Sequence, residues 1–405
     1  MNTSLVAATS AVLFLAPFAG SAGLRAGLLT IAGFLLLARA RDLRPLASSL
    51  PVAVMVAFGA WAMLSIASLA WSVDARYTRG ELKSEVLYPA MALAIFYAAA
   101  ALRPARWRAW WTALLAGSLV MLAGLVLQEI LPFALSRHSV LEQRGPWSTH
   151  LVLIAPLLLV LGWPRPWGED RPPWVQAVAL AVLLFAAWET ENRMMWVAFG
   201  AQLLVAMVLW RATPAMEPTR ARDLRRLAIA AVLVVCAAFA AALVERNARF
   251  FGSHAPVTTS FERDLRPRIW AKGIEQWRLA PWLGHGFGRE IAAPAFVPLT
   301  PRVADHPELR HAHNTFIDTA ISLGVVGLAA LLALLGTLAW AYRGFLRRAE
   351  VAPLGVLGLT LLAGFVVKNL TDDFMYRHNA LVFWALNGML LGLGSAAPAR
   401  VGDER

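Results

Sequence analysis

Five of the eight histidines in this chain fall between residues 254 and 313: His254, His285, His306, His311 and His313. Imidazole titrates near neutrality and serves both as a metal ligand and as a general base. The spacing speaks against metal. There is no H-x-x-x-H pair and no H-E-x-x-H, and the single cysteine, Cys236, lies apart in the apolar run 227–244, where it reads as a buried, inert thiol. Asp372 and Asp373 are adjacent rather than spaced as D-x-D, so their side chains would point apart. No metal is therefore expected. His313 stands out by position: it directly precedes an apolar run at 315–341, and Asn314 fits the cap of that helix. A rigid element would then hold the imidazole at a membrane–water boundary. A pKa near neutrality there would let it take a proton from a hydroxyl nucleophile.

Arginines form the second set. Arg193 ends the short connection Glu189-Thr190-Glu191-Asn192-Arg193 between two apolar runs. It would either pair with Glu189 or Glu191, or grip a phosphate with its planar fork. Arg144, Arg266 and Arg268 are expected to converge with it from neighbouring connections, which suits a diphosphate whose lipid tail stays in the bilayer. Lys368 falls near the end of another apolar run, either snorkelling or facing a polar cavity, with Asp372 one turn later as its partner.

The elements that must position these groups are membrane helices. Of 405 residues, 59% are hydrophobic and 15% charged, and the mean hydropathy is +0.59. Soluble domains seldom exceed about 50% apolar. The apolar runs predict about twelve spans, at 5–20, 24–38, 51–71, 85–101, 109–131, 149–162, 175–190, 194–210, 227–244, 315–341, 353–371 and 380–396. The fold class is all-α and polytopic. The net charge of +12 would admit nucleic acid in a soluble protein, but here much of the excess is arginine in short loops, which holds those loops in the cytoplasm. That bias, about two to one between alternate loops, places both termini inside. No nucleic-acid partner is expected; membrane lipids are.

Residues 1–244 and 315–396 thus read as membrane domains, 397–405 as a cytoplasmic tail and 245–314 as a large outer loop domain. Within the loop, 262–279 reads as an amphipathic helix, with Trp270, Ile274 and Trp277 on the apolar face and Arg268, Lys272 and Glu275 opposite. Pro281-Trp-Leu-Gly-His-Gly-Phe-Gly288 then makes a tight turn. Gly388-x-x-x-Gly392 in the last span reads as ordinary close helix contact.

His313-Asn314 followed after nine residues by Gly324-Val-Val-Gly327 resembles the H-[NSQ]-x9-G-x-x-G signature of the O-antigen ligase family and of related O-oligosaccharyltransferases. Arg268-Ile-Trp-Ala-Lys-Gly and the 281–288 turn resemble the large periplasmic loop of that superfamily, and the likeness runs from about 178 to 390. The resemblance implies a GT-C type glycosyltransferase acting on the periplasmic face of the bacterial inner membrane, with no cofactor, nucleotide sugar or metal. Its donor would be a glycan on undecaprenyl diphosphate, and its acceptor a sugar hydroxyl of lipid A-core. His313 carries over as the essential histidine, and Arg193 and Arg268 as the periplasmic arginines; Arg266 and Arg144 are assigned to the same diphosphate. An O-antigen polymerase, or an oligosaccharyltransferase acting on protein, shares this chemistry. A secondary transporter is the alternative of another class. It would need inverted repeats and midplane polar residues, whereas the notable residues here gather outside.

Overall fold

The computed structural model describes residues 2–43, 46, 49–130, 144–160, 173–190, 192–210, 218–251, 264–301, 308–372 and 376–396. Helices account for nearly all of them. The first nine major helices are α1 (Asn2–Phe14), α2 (Ala22–Leu37), α3 (Val52–Ala67), α4 (Ala75–Leu102), α5 (Trp107–Ile130), α6 (Arg144–Val160), α7 (Pro173–Glu189), α8 (Arg193–Trp210) and α9 (Pro218–Phe251). The amphipathic α10 (Arg266–Leu279) follows, then α11 (Thr315–Leu346), α12 (Ala352–Asn369) and α13 (Arg377–Ala396). Each expected span falls on one of these helices. Among the described residues, eight helical segments are long and apolar enough to cross a membrane, in α3, α4, α5, α8, α9, α11, α12 and α13. α1, α2 and α7 are shorter apolar helices. The protein is an all-α polytopic membrane protein.

Several bounds differ from the sequence reading for physical reasons. α4 begins ten residues early because Asp74 caps it, accepting from the Tyr77 N–H at 2.9 Å. That first stretch, Ala75–Leu82, is polar, and it joins the apolar part through a π-helical turn at Lys83–Leu87. α9 continues past 244 to Phe251, so the start of the expected loop is helical. Cys236 is exposed on the outside of the bundle rather than buried. It sits on an apolar span whose outer face is covered by lipid in a membrane, so hydropathy alone did not reveal which way it pointed.

The core is aromatic. Phe58 meets Trp384 edge-on at 4.8 Å between centroids, and Phe365 stacks on Phe383 at 4.2 Å. Gly388 and Gly392 lie against the backbone at Leu93 and Tyr97, so α13 packs on α4 with the close approach the spacing predicts.

Segments around residues 73–78, 281–288 and 321–326 meet in one region of the bundle. There α11 is broken. Gly324 has φ +67°, and a Cβ on it would lie 2.1 Å from the Trp282 carbonyl oxygen. The break exposes backbone groups that a continuous helix would pair, and the 281–288 turn takes them up. His285 N–H donates to the Ile321 carbonyl and Gly286 N–H to that of Ser322, each at 3.0 Å. In return Val325 N–H donates to the Pro281 carbonyl at 2.8 Å and Val326 N–H to that of Trp282 at 3.3 Å. Gly284, at φ +65°, allows the close approach from the other side, since its Cβ would fall 2.4 Å from the Ser322 carbonyl. Gly327 lets the second half of α11 seat against the Leu323 side chain. The G-x-x-G spacing is thus a helix break with a loop docked into it.

The same turn is tied to the end of α3 and the start of α4: Phe287 N–H donates to Ser68 Oγ, and Thr78 Oγ1 donates to the Phe287 carbonyl, both at 2.9 Å. α10 then lies across α11. Its buried residues are Ile269 and Gly273, the latter so close that a Cβ would meet Ile317 at 2.7 Å. The packed face is therefore rotated from the one expected: Ile274 is 39% exposed, while Trp270 and Trp277 flank the contact. A small residue, invisible to a hydrophobicity pattern, is what allows the two helices to touch.

Gly324→Ala should destabilise the protein by about 2–4 kcal/mol, combining left-handed strain with overpacking, and should release the 281–288 turn to protease. Gly336→Ala, where a Cβ meets nothing within 4 Å, should stabilise slightly or be neutral. Thermal unfolding in detergent of the two variants side by side measures the difference.

Candidate active site

His313 sits where the chain turns into α11, in the left-handed region at φ 51°. Asn314 caps the helix as expected, accepting from Phe316 N–H at 3.0 Å and Ile317 N–H at 3.2 Å. Its own Nδ2 donates to the Leu370 carbonyl at 2.9 Å, which ties the cap to the end of α12. Asp318, one turn into α11, holds the preceding turn from below: Ala312 N–H donates to its Oδ1 at 2.8 Å and Asn314 N–H to its Oδ2 at 3.4 Å. The unusual φ at His313 is thereby fixed by hydrogen bonds on both flanking amides.

His311 has a part that the sequence reading did not give it. Its ring lies 4.0 Å from that of His313, its Nδ1 accepts the His313 N–H at 3.1 Å, and the same Nδ1 is 3.4 Å from Asp318 Oδ2. The basicity of His313 also differs from expectation. Burial, His311 and Arg266 push its pKa down to about 4, against the opposing pull of Asp372 and Asp318. The expectation of a value near neutrality reflected a solvated imidazole; the folded one is neutral and able to accept a proton across the physiological range.

Of the four arginines, two come together. Asp264 Oδ2 is 3.6 Å from Arg193 Nη2 and 3.1 Å from Arg266 Nη1, so one carboxylate orients both guanidinium groups. Arg193 thus meets an aspartate from the start of α10, a pairing that the local acids of its own connection did not foretell. Arg266 is near enough to act electrostatically on both His313 and Lys368. Arg268 is exposed, two positions further along α10 and so on a different face from Arg266. The Arg144 side chain lies outside the described residues. Lys368 is fully buried and donates to Asp372 Oδ2 at 3.1 Å, so it faces the protein interior with the partner expected for it. Asp372 in turn accepts the Thr315 N–H at its backbone carbonyl, 3.1 Å away. Among the described residues, no group of three or more His, Cys, Asp or Glu comes together as metal ligands would.

A pocket opens beside the first turns of α11. Thr315, Asp318, Thr319 and Ser322 form one wall, and Glu81, Glu85, Arg289 and Tyr376 face them. None of these last four was singled out from the sequence. Glu85 accepts the Arg377 N–H, and the Arg289 guanidinium lies 3.3 Å from the centre of the Tyr376 ring. The turn at Arg289 follows the recognised glycine-rich segment, while Glu85 lies within the π turn of α4 and Glu81 just before it, a local distortion that no sequence rule signals.

A buried imidazole at a helix mouth, paired arginines near it and a polar pocket next to it thus gather in one region of the helical bundle. The family profile described as O-Antigen ligase matches residues 177–332, which include Arg193, Arg266, Arg268, His313, Gly324 and Gly327. A curated O-antigen ligase of Pseudomonas aeruginosa is 27% identical over 358 residues, covering 85% of this chain and 77% of that protein. These likenesses mark a membrane enzyme of the glycosyltransferase type, similar to the O-antigen ligase family over residues 177–332.

Protonating His313 removes the base, so activity should fall as pH drops through its folded pKa of about 4. The acid limb of kcat/KM for glycan transfer should centre there. A limb centred near the model-peptide value of about 6.5 would mean that the working imidazole is solvated, or is not His313.

Proposed function

We propose that the chain transfers O-antigen glycan from undecaprenyl diphosphate to a sugar hydroxyl of lipid A-core, with inversion and without metal, at the periplasmic face of the inner membrane. The observation that carries this is the juxtaposition of a neutral, backbone-fixed His313 with the Arg193–Asp264–Arg266 cluster. Positive charge concentrated in the loops of the opposite end supports the orientation.

The acceptor hydroxyl attacks the anomeric carbon while His313 takes its proton; the new glycosidic C–O bond forms as the anomeric C–O bond to phosphate breaks. The electron pair leaves with the lipid diphosphate. Attack from the face opposite the leaving group inverts the configuration. The imidazolium that forms has Asp318 and Asp372 within electrostatic reach, which favours it transiently. A guanidinium presents five donors, so Arg193 and Arg266 can be oriented by Asp264 and still grip phosphate oxygens. Charge that a divalent ion would otherwise neutralise falls to these arginines. Arg268, exposed at the outer face of α10, would meet the diphosphate as it arrives, and Arg144 is assigned to the same anion.

His313→Ala should lower transfer by about 10²–10⁴-fold while the protein still inserts and folds; a well-expressed variant with normal glycan attachment sinks the role. Arg193→Lys and Arg266→Lys should recover only part of the activity lost in the alanine variants, because lysine keeps the charge without the planar fork. Purified protein should transfer glycan at an unchanged rate in excess EDTA. Chelator-sensitive activity restored by magnesium or manganese would refute the arginine mechanism.

A further inference from the structure

The pocket beside α11 differs in charge from the arginine cluster. Residues at i, i+3, i+4 and i+7 share a helix face, and Thr315, Asp318, Thr319 and Ser322 turn that face to the pocket. α10, which carries Arg266, packs instead on the face of Ile317 and Ile321. The two regions therefore flank different sides of one helix. Around the pocket, the carboxyl groups of Glu81, Glu85 and Asp318 outnumber the guanidinium of Arg289. A diphosphate would meet more acid than base there, and a group rich in neutral hydroxyls would not.

The remaining walls fit such a group. Flat apolar surface comes from Trp61 and Phe287, which meet edge-on at 5.8 Å, and from Tyr376. Pyranose rings present a C–H face to aromatic surface and a rim of hydroxyls to carboxylates and guanidinium groups. A carboxylate has about four lone-pair positions, so the structural bond from Arg377 to Glu85 and bonds to a ligand coexist. Glu85 lies within the π turn at Lys83–Leu87 and Glu81 two residues before it, a distortion of the kind found at functional sites. Gly288, whose Cβ would press on Tyr77 and on Glu81 Cγ, lets the loop close over the same wall. Finally, Asp318 belongs both to the pocket and to the turn bearing His313. A sugar seated against it lies next to the base.

We propose that this pocket, lined by Glu81, Glu85, Arg289 and Tyr376, is the acceptor subsite and seats a neutral or amino sugar of the acceptor glycan. This rests on the transferase reading above. Glu81, Glu85 and Tyr376 lie outside the matched residues 177–332, and Arg289 lies within them.

The test is steady-state transfer by the full chain in detergent, varying undecaprenyl diphosphate-linked glycan and lipid A-core independently. Glu81→Gln, which keeps the shape and removes the charge, should raise KM for lipid A-core about tenfold, the worth of one charged hydrogen bond. KM for the donor and kcat should stay within about twofold. Thr319→Val gives a second reading should the first variant fail to fold. In the unmodified protein, lipid-free core oligosaccharide should compete with lipid A-core and not with the donor, and Glu81→Gln should weaken that inhibition. An acceptor KM unmoved in both variants, or a shift confined to the donor KM, overturns the pocket assignment and leaves the transferase reading standing. Failure of the unmodified protein to transfer to lipid A-core overturns both.

Discussion

Buried backbone groups must be paired, and at membrane depth no water substitutes for the missing partner. The break at Gly324 leaves α11 with carbonyls at Ile321 and Ser322 and amides at Val325 and Val326 that the helix no longer satisfies. The 281–288 turn satisfies all four. This exchange ties the long loop to the bundle, since the turn leads directly back into α10 and forward to Arg289. It also ties the end of α3, through Ser68, and the start of α4, through Thr78, to the same point. The described segment 264–301 is consequently built into the helical scaffold.

From that anchor the site follows by short steps. α10 lies on α11 because Gly273 admits Ile317, and this carries Arg266 to the mouth of α11. The mouth itself is held from two sides. Asp318 fixes the amides around His313, while Asn314 and Thr315 bond to the Leu370 and Asp372 carbonyls beyond α12. Lys368, fully buried, reaches Asp372 and places a cation behind the same turn. Burying charge in this way is costly unless it is paired and bonded, and here it is both.

Electrostatics then divides the region. Arg193 and Arg266, sharing Asp264, keep a positive excess on one flank of α11, and the carboxyl groups near Arg289 make the other flank more acidic. His313 stands at the junction, kept neutral by burial and by its basic neighbours. On the proposed reading, donor and acceptor would approach that imidazole from these two flanks.

The membrane class, the place of each span and the position of His313 before a capped helix were legible from sequence because they depend on local quantities: runs of apolar side chains, a capping residue, a spacing of glycines. The Lys368–Asp372 pair was legible for the same reason, being one turn apart. What depended on distant residues was not. Arg193 meets Asp264 across some seventy positions of sequence, and Arg289 stacks on Tyr376 across a similar gap. The buried face of α10 was misplaced because a glycine, not a large side chain, makes the contact. Cys236 was taken for core because an apolar helix reads alike toward lipid and toward protein. Burial set the basicity of His313, and Glu85 lies within a π turn just after Glu81. Sequence determined which groups were available and that they would gather in one region of a bundle. Tertiary packing decided which of them touch, because proximity, desolvation and helix rotation are properties of the assembled chain.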